Sequence, residues 1–173
     1  MSRFLTTSVL ALAMSTAGAA AAQTDDTPWQ ADMTAFLEVL HAEHDNPYFH
    51  TSREDFEPAV AAYRAELPEM SRAERVTGFA RVVALVGDGH TWMPMYRLPF
   101  DGLPPGPGFS SLPVRFELFD DGLYVAGAGE TQNAMLGARV TAFGDVAAEE
   151  AIARVMELLP ADATNFAREF VAE

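Results

Sequence analysis

The residues best suited to chemistry lie together in the segment Gly87-Asp88-Gly89-His90-Thr91. Two glycines flank Asp88 directly after an apolar stretch that predicts a helix, and glycine permits the positive φ that a tight turn requires. The negative end of that helix and the Asp88 carboxylate both favour a protonated or well-oriented imidazole. We therefore predict His90 as a general acid or base, with Asp88 as its orienting carboxylate. The alternative is a turn in which His90 caps carbonyls or packs on Trp92.

A second group of imidazoles precedes the first by about forty residues and comprises His41, His44 and His50, with Asp45 among them. His41 and His44 lie one helical turn apart, which is compatible with two ligands of a metal ion. The third ligand would come from across the Asn46-Pro47 turn. The spacing matches no strong metal signature, and His44 also continues an apolar helical stripe. We predict neither a metal nor another cofactor, and keep a His-based metalloprotein as a minor alternative.

Nucleophiles are scarce in this sequence. After residue 22 the serines are Ser52, Ser71, Ser110 and Ser111, and the first two are placed to cap helices. Ser110 and Ser111 lie in a Pro/Gly-rich loop without the G-x-S-x-G pattern of a nucleophile elbow. All 11 basic residues are arginine, so a lysine base, a Schiff base and a Walker lysine are excluded. The chain by itself therefore carries no convincing catalytic nucleophile.

Composition narrows the class of protein further. The net charge of −14 provides no basic surface for a phosphate backbone, which argues against nucleic-acid binding. The absence of cysteine excludes a disulfide framework and a cysteine zinc site. A hydrophobic content of 49% in 173 residues suits one domain or two small ones with a buried core.

The first 22 residues predict a secretory signal peptide. Arg3 supplies the positive start, a short apolar stretch follows, and Ala20-Ala21-Ala22 provides a small-residue cleavage site before Gln23. The apolar stretch is too short and too interrupted for a membrane span, so no membrane association is expected after cleavage. The expected location is the periplasm or outside the cell; the alternative is a buried N-terminal helix.

Residues 23–93 predict a helical subdomain. Thr27-Pro28-Trp29-Gln30 has the pattern of a capping box, and the first helix should end at Asn46-Pro47. Ser52 should cap a second helix, in which Pro58 implies a later start or a kink. A second capping box, Ser71 to Glu74, predicts a third helix that runs to Gly87.

Residues 94–111 predict a Pro/Gly-rich loop, and residues 112–173 a β module with following helices. Val114, Phe116 and Leu118 alternate along the first strand, and Asp120-Asp121-Gly122 predicts a hairpin turn. The remaining predicted elements are a strand at 123–128, a strand at 139–143, and a helix from about 147 to 159 that Pro160 ends. Because helices and strands occupy separate blocks, the predicted fold class is α+β, with a three-helix N-terminal bundle.

Several short motifs resemble one known family when they are taken in order. They are His44-Asp45-Asn46-Pro47-Tyr48-Phe49-His50, Val86 to Thr91, Leu112-Pro113-Val114, Asp121 to Val125, and Leu136-Gly137-Ala138-Arg139-Val140. Together they resemble the N-terminal region of secreted tail-specific-protease-like serine peptidases, the family of the C-terminal processing proteases and the tricorn core.

The resemblance implies a helical subdomain followed by a PDZ-like β module, which would bind a polypeptide substrate or a C-terminal tail by strand addition. It also implies that the nucleophilic serine belongs to a later catalytic domain, and that a histidine near His90 joins the catalytic group in the tricorn-like branch. The expected function is therefore the front portion of an exported serine peptidase that binds polypeptide but does not cut it alone. The alternative from another class is a stand-alone periplasmic binding or structural protein that has lost catalysis.

Overall fold

The computed structural model describes residues 25–93 and 112–160, which form a mixture of helices and small antiparallel sheets. The predicted α+β class is confirmed at that level. The predicted signal peptide, the predicted 94–111 loop and residues 161–173 of the predicted C-terminal module lie outside the described residues. Among the described helices, none combines the length and apolarity needed to cross a membrane. The helices are α1 Thr27–Glu43, α2 Arg53–Glu66, α3 Arg72–Ala84 and α4 Ala148–Met156; the strands are β1 Val114–Phe119, β2 Gly122–Ala128, β3 Ala142–Phe143 and β4 Val146–Ala147.

The first helix begins one residue earlier than predicted, at Thr27, the residue predicted to be its cap. Asp26 is the N-cap of α1 and its side chain makes no capping bond, so the predicted capping box from Thr27 to Gln30 is wrong. The Gln30 side chain instead donates to the carbonyl of Arg64 on α2 at 3.1 Å, because a long-range partner competes with the helix end for it. The helix ends before Asn46-Pro47, as predicted.

The caps of α2 and α3 confirm the serine predictions. The Ser52 hydroxyl accepts from the backbone N–H of Asp55, and Ser71 forms a complete capping box with Glu74. Helix α2 begins directly after Ser52 and includes Pro58, which excludes the later start, one of the two alternatives predicted for that proline. The first-turn cap and the buried side chains beyond Pro58 hold the helix together despite the backbone donor that proline lacks.

Side chains from α1, α2 and α3 bury one shared apolar core, because each helix carries apolar residues at a spacing of three or four. Arg75 is only 2% exposed, and its guanidinium donates to the backbone carbonyls of Met70 and Asp25, each at 3.1 Å. The Tyr63 hydroxyl donates to the carbonyl of Arg75 at 3.1 Å. The buried members of the core cluster are Met33, Leu40, Phe56, Val60, Tyr63, Leu67, Val82 and Val86.

Strands β1 and β2 form an antiparallel hairpin with Asp120 and Asp121 as its turn residues, as predicted. The alternation along β1 is also confirmed, since Val114, Phe116 and Leu118 are half-buried while the residues between them are exposed. A bulge lies between Arg115 and Phe116.

The predicted strand at 139–143 is wrong as a continuous element. Arg139 makes a single bridge to Tyr124, and only Ala142 and Phe143 form a strand, β3, which pairs with β4. Gly144, at φ +59°, lets the chain reverse directly after Phe143, so the segment becomes a two-residue hairpin. Helix α4 follows, and the Glu157 carboxylate just after it meets Arg81 Nε of α3 at 3.0 Å.

Candidate functional site

The turn after α3 packs closely against the loop that follows α1. Gly87 has φ +79°, and a Cβ built on it would lie 2.4 Å from the Cβ of His50. Only glycine combines this backbone conformation with this approach, so the sequence permits the tight turn where the two segments touch. The turn that carries Asp88 and His90 is thereby fixed against residues of the α1–α2 loop.

Asp88 is the centre of the turn. Its Oδ1 accepts the backbone N–H of His90 at 3.1 Å, and its Oδ2 accepts the Thr91 hydroxyl at 2.8 Å. This is an Asx-turn, in which a side chain replaces a backbone acceptor. The bond from the His90 backbone N–H is the main reason that the pKa of Asp88 is lowered, with the Thr91 hydroxyl adding to it and burial opposing it. The carboxylate is therefore held in its ionised form.

His44 brings a second imidazole to the same carboxylate. Its Nε2 lies 3.4 Å from Asp88 Oδ2, at ion-pair distance, and its side chain is only 24% exposed. The backbone N–H of Asn46 donates to His44 Nδ1 at 3.1 Å. Because Nδ1 is an acceptor, the proton of the neutral ring resides on Nε2, which faces Asp88. His44 is also the C-cap residue of α1, so this contact ties the end of α1 to the turn after α3.

His90 stands at the outer side of the turn. Its Nδ1 lies 3.5 Å from Asp88 Oδ1, and its side chain is 98% exposed. An imidazole that exposed does not pack on Trp92, which was the alternative suggested by the sequence. The structure brings the predicted pair Asp88 and His90 together, with the backbone of His90 anchored and its ring directed to solvent.

The three earlier histidines do not converge. His41 Nε2 lies 2.7 Å from the Tyr48 hydroxyl, His44 faces Asp88, and His50 packs on Gly87. Within residues 25–93 and 112–160, no group of three His, Asp or Glu side chains is arranged to hold a metal ion. The three imidazoles whose spacing suggested a metal site thus take part in three separate contacts.

A carboxylate between two imidazoles can support proton transfer, because it orients a ring and stabilises its charged form. Covalent catalysis would need a nucleophile within reach of the exposed ring. Ser52 and Ser71 are engaged as helix caps, and Ser110 and Ser111 lie outside the described residues. The described part of the site therefore holds the Asp88 carboxylate between two imidazoles, while both described serines are engaged as helix caps.

The β hairpin carries a separate surface feature, an open apolar groove of about 410 Å³. Phe119 and Leu136 on its rim are 53% and 55% exposed. The Phe119 and Tyr124 rings pack edge to face on one side of the groove, with their centroids 5.6 Å apart. The lining consists of Phe119, Tyr124, Val125, Ala126, Leu136 and Gly137. The groove is small and open to solvent, and exposed apolar surface is the kind of surface that contacts partners.

Among the residues that line the groove, only Phe119 belongs to β1, whose outer edge is the side away from Leu136 and Gly137. Leu123 and Val125 of β2 exchange backbone hydrogen bonds with the segment 137–140 on the far side of the hairpin. Since the direction of backbone groups alternates in an antiparallel pair, their partners Leu118 and Phe116 point their N–H and C=O groups away from β2. In the part of the chain that the structure describes, no strand pairs with that edge.

Two features of the candidate sites were not predicted from the sequence. The contact between His44 and Asp88 joins residues 44 positions apart, whereas the sequence pattern suggested an apolar stripe or a metal for His44. The groove depends on Leu136 reaching the hairpin after a 3-10 helix, Glu130–Met135. The alternation along β1 placed Phe119 on the solvent side, and this was the one available signal for the groove.

Comparisons of the chain with protein-family models, with curated proteins and with solved structures gave no match.

Proposed function

We propose that this chain is the front portion of an exported serine peptidase, which binds polypeptide and is not catalytic alone. The apolar groove on the hairpin is the observation that carries the proposal. In this proposal, α1 to α3 form a three-helix bundle, and the hairpin with the segment around Arg139 forms a PDZ-like module. The motif resemblance supports the same reading, and the N-terminal signal pattern supports export to the periplasm or medium.

An extended peptide suits the geometry of the hairpin. A strand added beside β1 would bond to the outward backbone groups of Phe116 and Leu118. Alternate side chains of such a strand would stand on the same face as Phe119. The exposed Phe119 ring on β1, where the groove begins, would then bury an apolar side chain of the peptide. The expected ligand is thus an unfolded segment or C-terminal tail with apolar residues.

Fluorescence polarisation with a fluorescein-labelled, unstructured decapeptide that ends in three apolar residues tests this binding. We expect saturable binding, and replacement of those three residues by aspartate should abolish it. Leu136→Ala should weaken binding by about tenfold, which corresponds to the loss of roughly 1.4 kcal/mol of apolar burial. Phe119→Ala should act in the same direction.

Phe49→Ala provides a matched control, because Phe49 is 73% exposed and lies in the loop between α1 and α2 rather than in the hairpin. It should leave peptide affinity unchanged. Equal affinities of the wild type and the Phe119→Ala and Leu136→Ala variants would refute binding in the groove. A peptide that binds equally well with aspartate at its end would refute the apolar specificity.

His90 has a separate role in the proposal, as the acid or base that this portion offers to a catalytic domain. Its 98% exposed ring on an anchored backbone supports this role, because its loss would remove little packing within the turn. The purified chain should not hydrolyse casein or unstructured peptides. Hydrolysis that a serine-directed covalent inhibitor blocks, and that survives Ser110→Ala with Ser111→Ala, would reveal a nucleophile that the proposal lacks.

A further inference from the structure

We infer that His44 is a positioning residue that acts through Asp88 to orient His90. The inference rests on the proposed acid–base role of His90 and adds to it a residue from a different segment of the chain. A continuous series of contacts supports it, running from the Asn46 backbone N–H through the His44 ring and the Asp88 carboxylate to His90 Nδ1.

Each contact in this series sets the direction of the next. The Asn46 N–H at 3.1 Å occupies His44 Nδ1, so the neutral ring offers its Nε2–H toward Asp88 Oδ2. With Oδ2 turned to His44, the other oxygen, Oδ1, faces His90 and accepts its backbone N–H at 3.1 Å. Oδ1 also faces His90 Nδ1, which favours the tautomer that carries its proton there. Nε2 of His90 is then left as the acceptor on the exposed side of the ring.

Two groups contact Oδ2 of Asp88, and they have different consequences. The Thr91 hydroxyl is the closer partner of Oδ2, at 2.8 Å, but it belongs to the same turn and moves with it. His44 lies at the end of α1, so its contact fixes the carboxylate relative to the helices. The packing of His50 on Gly87 is a second contact from the same loop to the same turn. His44 therefore determines where the turn directs His90, whereas Thr91 determines the shape of the turn.

The side-chain nitrogen resonances of the full chain test this inference, measured by NMR at a pH of about 8.5, where an ordinary imidazole is neutral. In the wild type, His44 should carry its proton on Nε2 and His90 should carry it predominantly on Nδ1. Asp88→Ala should abolish the tautomer preference at His90, because no side-chain oxygen then faces Nδ1, and it defines complete loss. In His44→Phe, the fraction of His90 that carries its proton on Nδ1 should lie between those of the wild type and Asp88→Ala.

His44→Gln is the conservative variant, because its amide can still donate an N–H toward Asp88, and it should restore the preference at His90. A residue that only supports the fold would not produce this difference between Phe and Gln. Thr91→Val is the control for the hydrogen bond from the Thr91 hydroxyl to Asp88 Oδ2. Because His44 is intact in this variant, His90 should keep part of its preference for the Nδ1 proton. The backbone amide spectrum of α1 to α3 should be the same in all variants.

An unchanged tautomer preference at His90 in His44→Phe would overturn the inference. A wild-type His44 with its proton on Nδ1 would also overturn it, and that measurement needs no variant. Neither readout involves hydrolysis or peptide binding. If His90 later proves irrelevant to turnover, the proposed acid–base role fails while the positioning by His44 stands, so the two failures are distinguishable.

Discussion

Gly87→Ala tests whether the turn after α3 depends on its close packing with the α1–α2 loop. At φ +79° a residue with a side chain is strained by about 1–2 kcal/mol. The new Cβ would also lie 2.4 Å from His50 Cβ and 2.8 Å from Cγ, where real Cβ contacts are essentially never below 3.0 Å. Forcing that overlap apart costs about another 1–3 kcal/mol. We expect a total loss of about 2–5 kcal/mol in the free energy of unfolding.

Gly137→Ala is the matched control for the backbone term, because Gly137 has φ +80° and no atom within 4 Å of its built Cβ. This substitution should lower the free energy of unfolding by only about 1–2 kcal/mol. Urea unfolding, followed by far-ultraviolet circular dichroism, measures both variants, with the slope m expected to stay constant. In the Gly87→Ala background, His50→Gly should recover the steric part and His50→Ala should recover less, since alanine keeps the nearest atom.

Equal losses for Gly87→Ala and Gly137→Ala would refute the reasoning, because the steric contact with His50 would then have no energetic effect. The same conclusion would follow if His50→Gly failed to improve Gly87→Ala beyond the effect it has on the wild type. The cycle of four proteins isolates this pairwise term.

Four further predictions concern single residues. Ser71→Ala should lower the free energy of unfolding by about 1 kcal/mol through loss of the α3 capping box, and urea unfolding checks this. Burial raises the pKa of Tyr63 to about 12, so the stability from its neutral phenol is complete below pH 10 and is lost as the pH rises toward 12; Tyr63→Phe should flatten that alkaline slope in pH-dependent unfolding. The pKa of Asp88 is lowered, so its contribution is present above its ordinary value of 3.8 and is lost as the pH falls through the lower folded value; Asp88→Asn should remove that part of the acid slope. His90→Ala should shift the melting temperature by a few degrees at most, since exposed substitutions change stability by about 0.5 kcal/mol. In a fusion to a complete catalytic domain, the same substitution should cut turnover about a hundredfold or more. A loss of several kcal/mol in stability would assign His90 a structural role, and unchanged turnover would exclude it as the acid or base.

Local patterns in the sequence determined most elements of this protein. Ser52 and Ser71 were recognised as caps because the capping bond spans only three residues, and the β1–β2 hairpin was recognised because its turn and its alternation are both local. The same reasoning placed Asp88 beside His90, since an Asx-turn forms within three residues. Each of these features is decided by neighbours along the chain.

Tertiary contacts decided the rest. The Gln30 side chain bonds to the carbonyl of Arg64 instead of capping α1. The expected strand at 139–143 is reduced to Ala142–Phe143, after which Gly144 reverses the chain at positive φ. Nothing near His44 in the sequence indicated that its ring faces a carboxylate 44 residues later. Such pairings depend on how the helices pack, and the packing energy is spread over many apolar contacts that no short motif records. The sequence therefore placed Asp88 beside His90, and only the folded chain brought His44 to the same carboxylate.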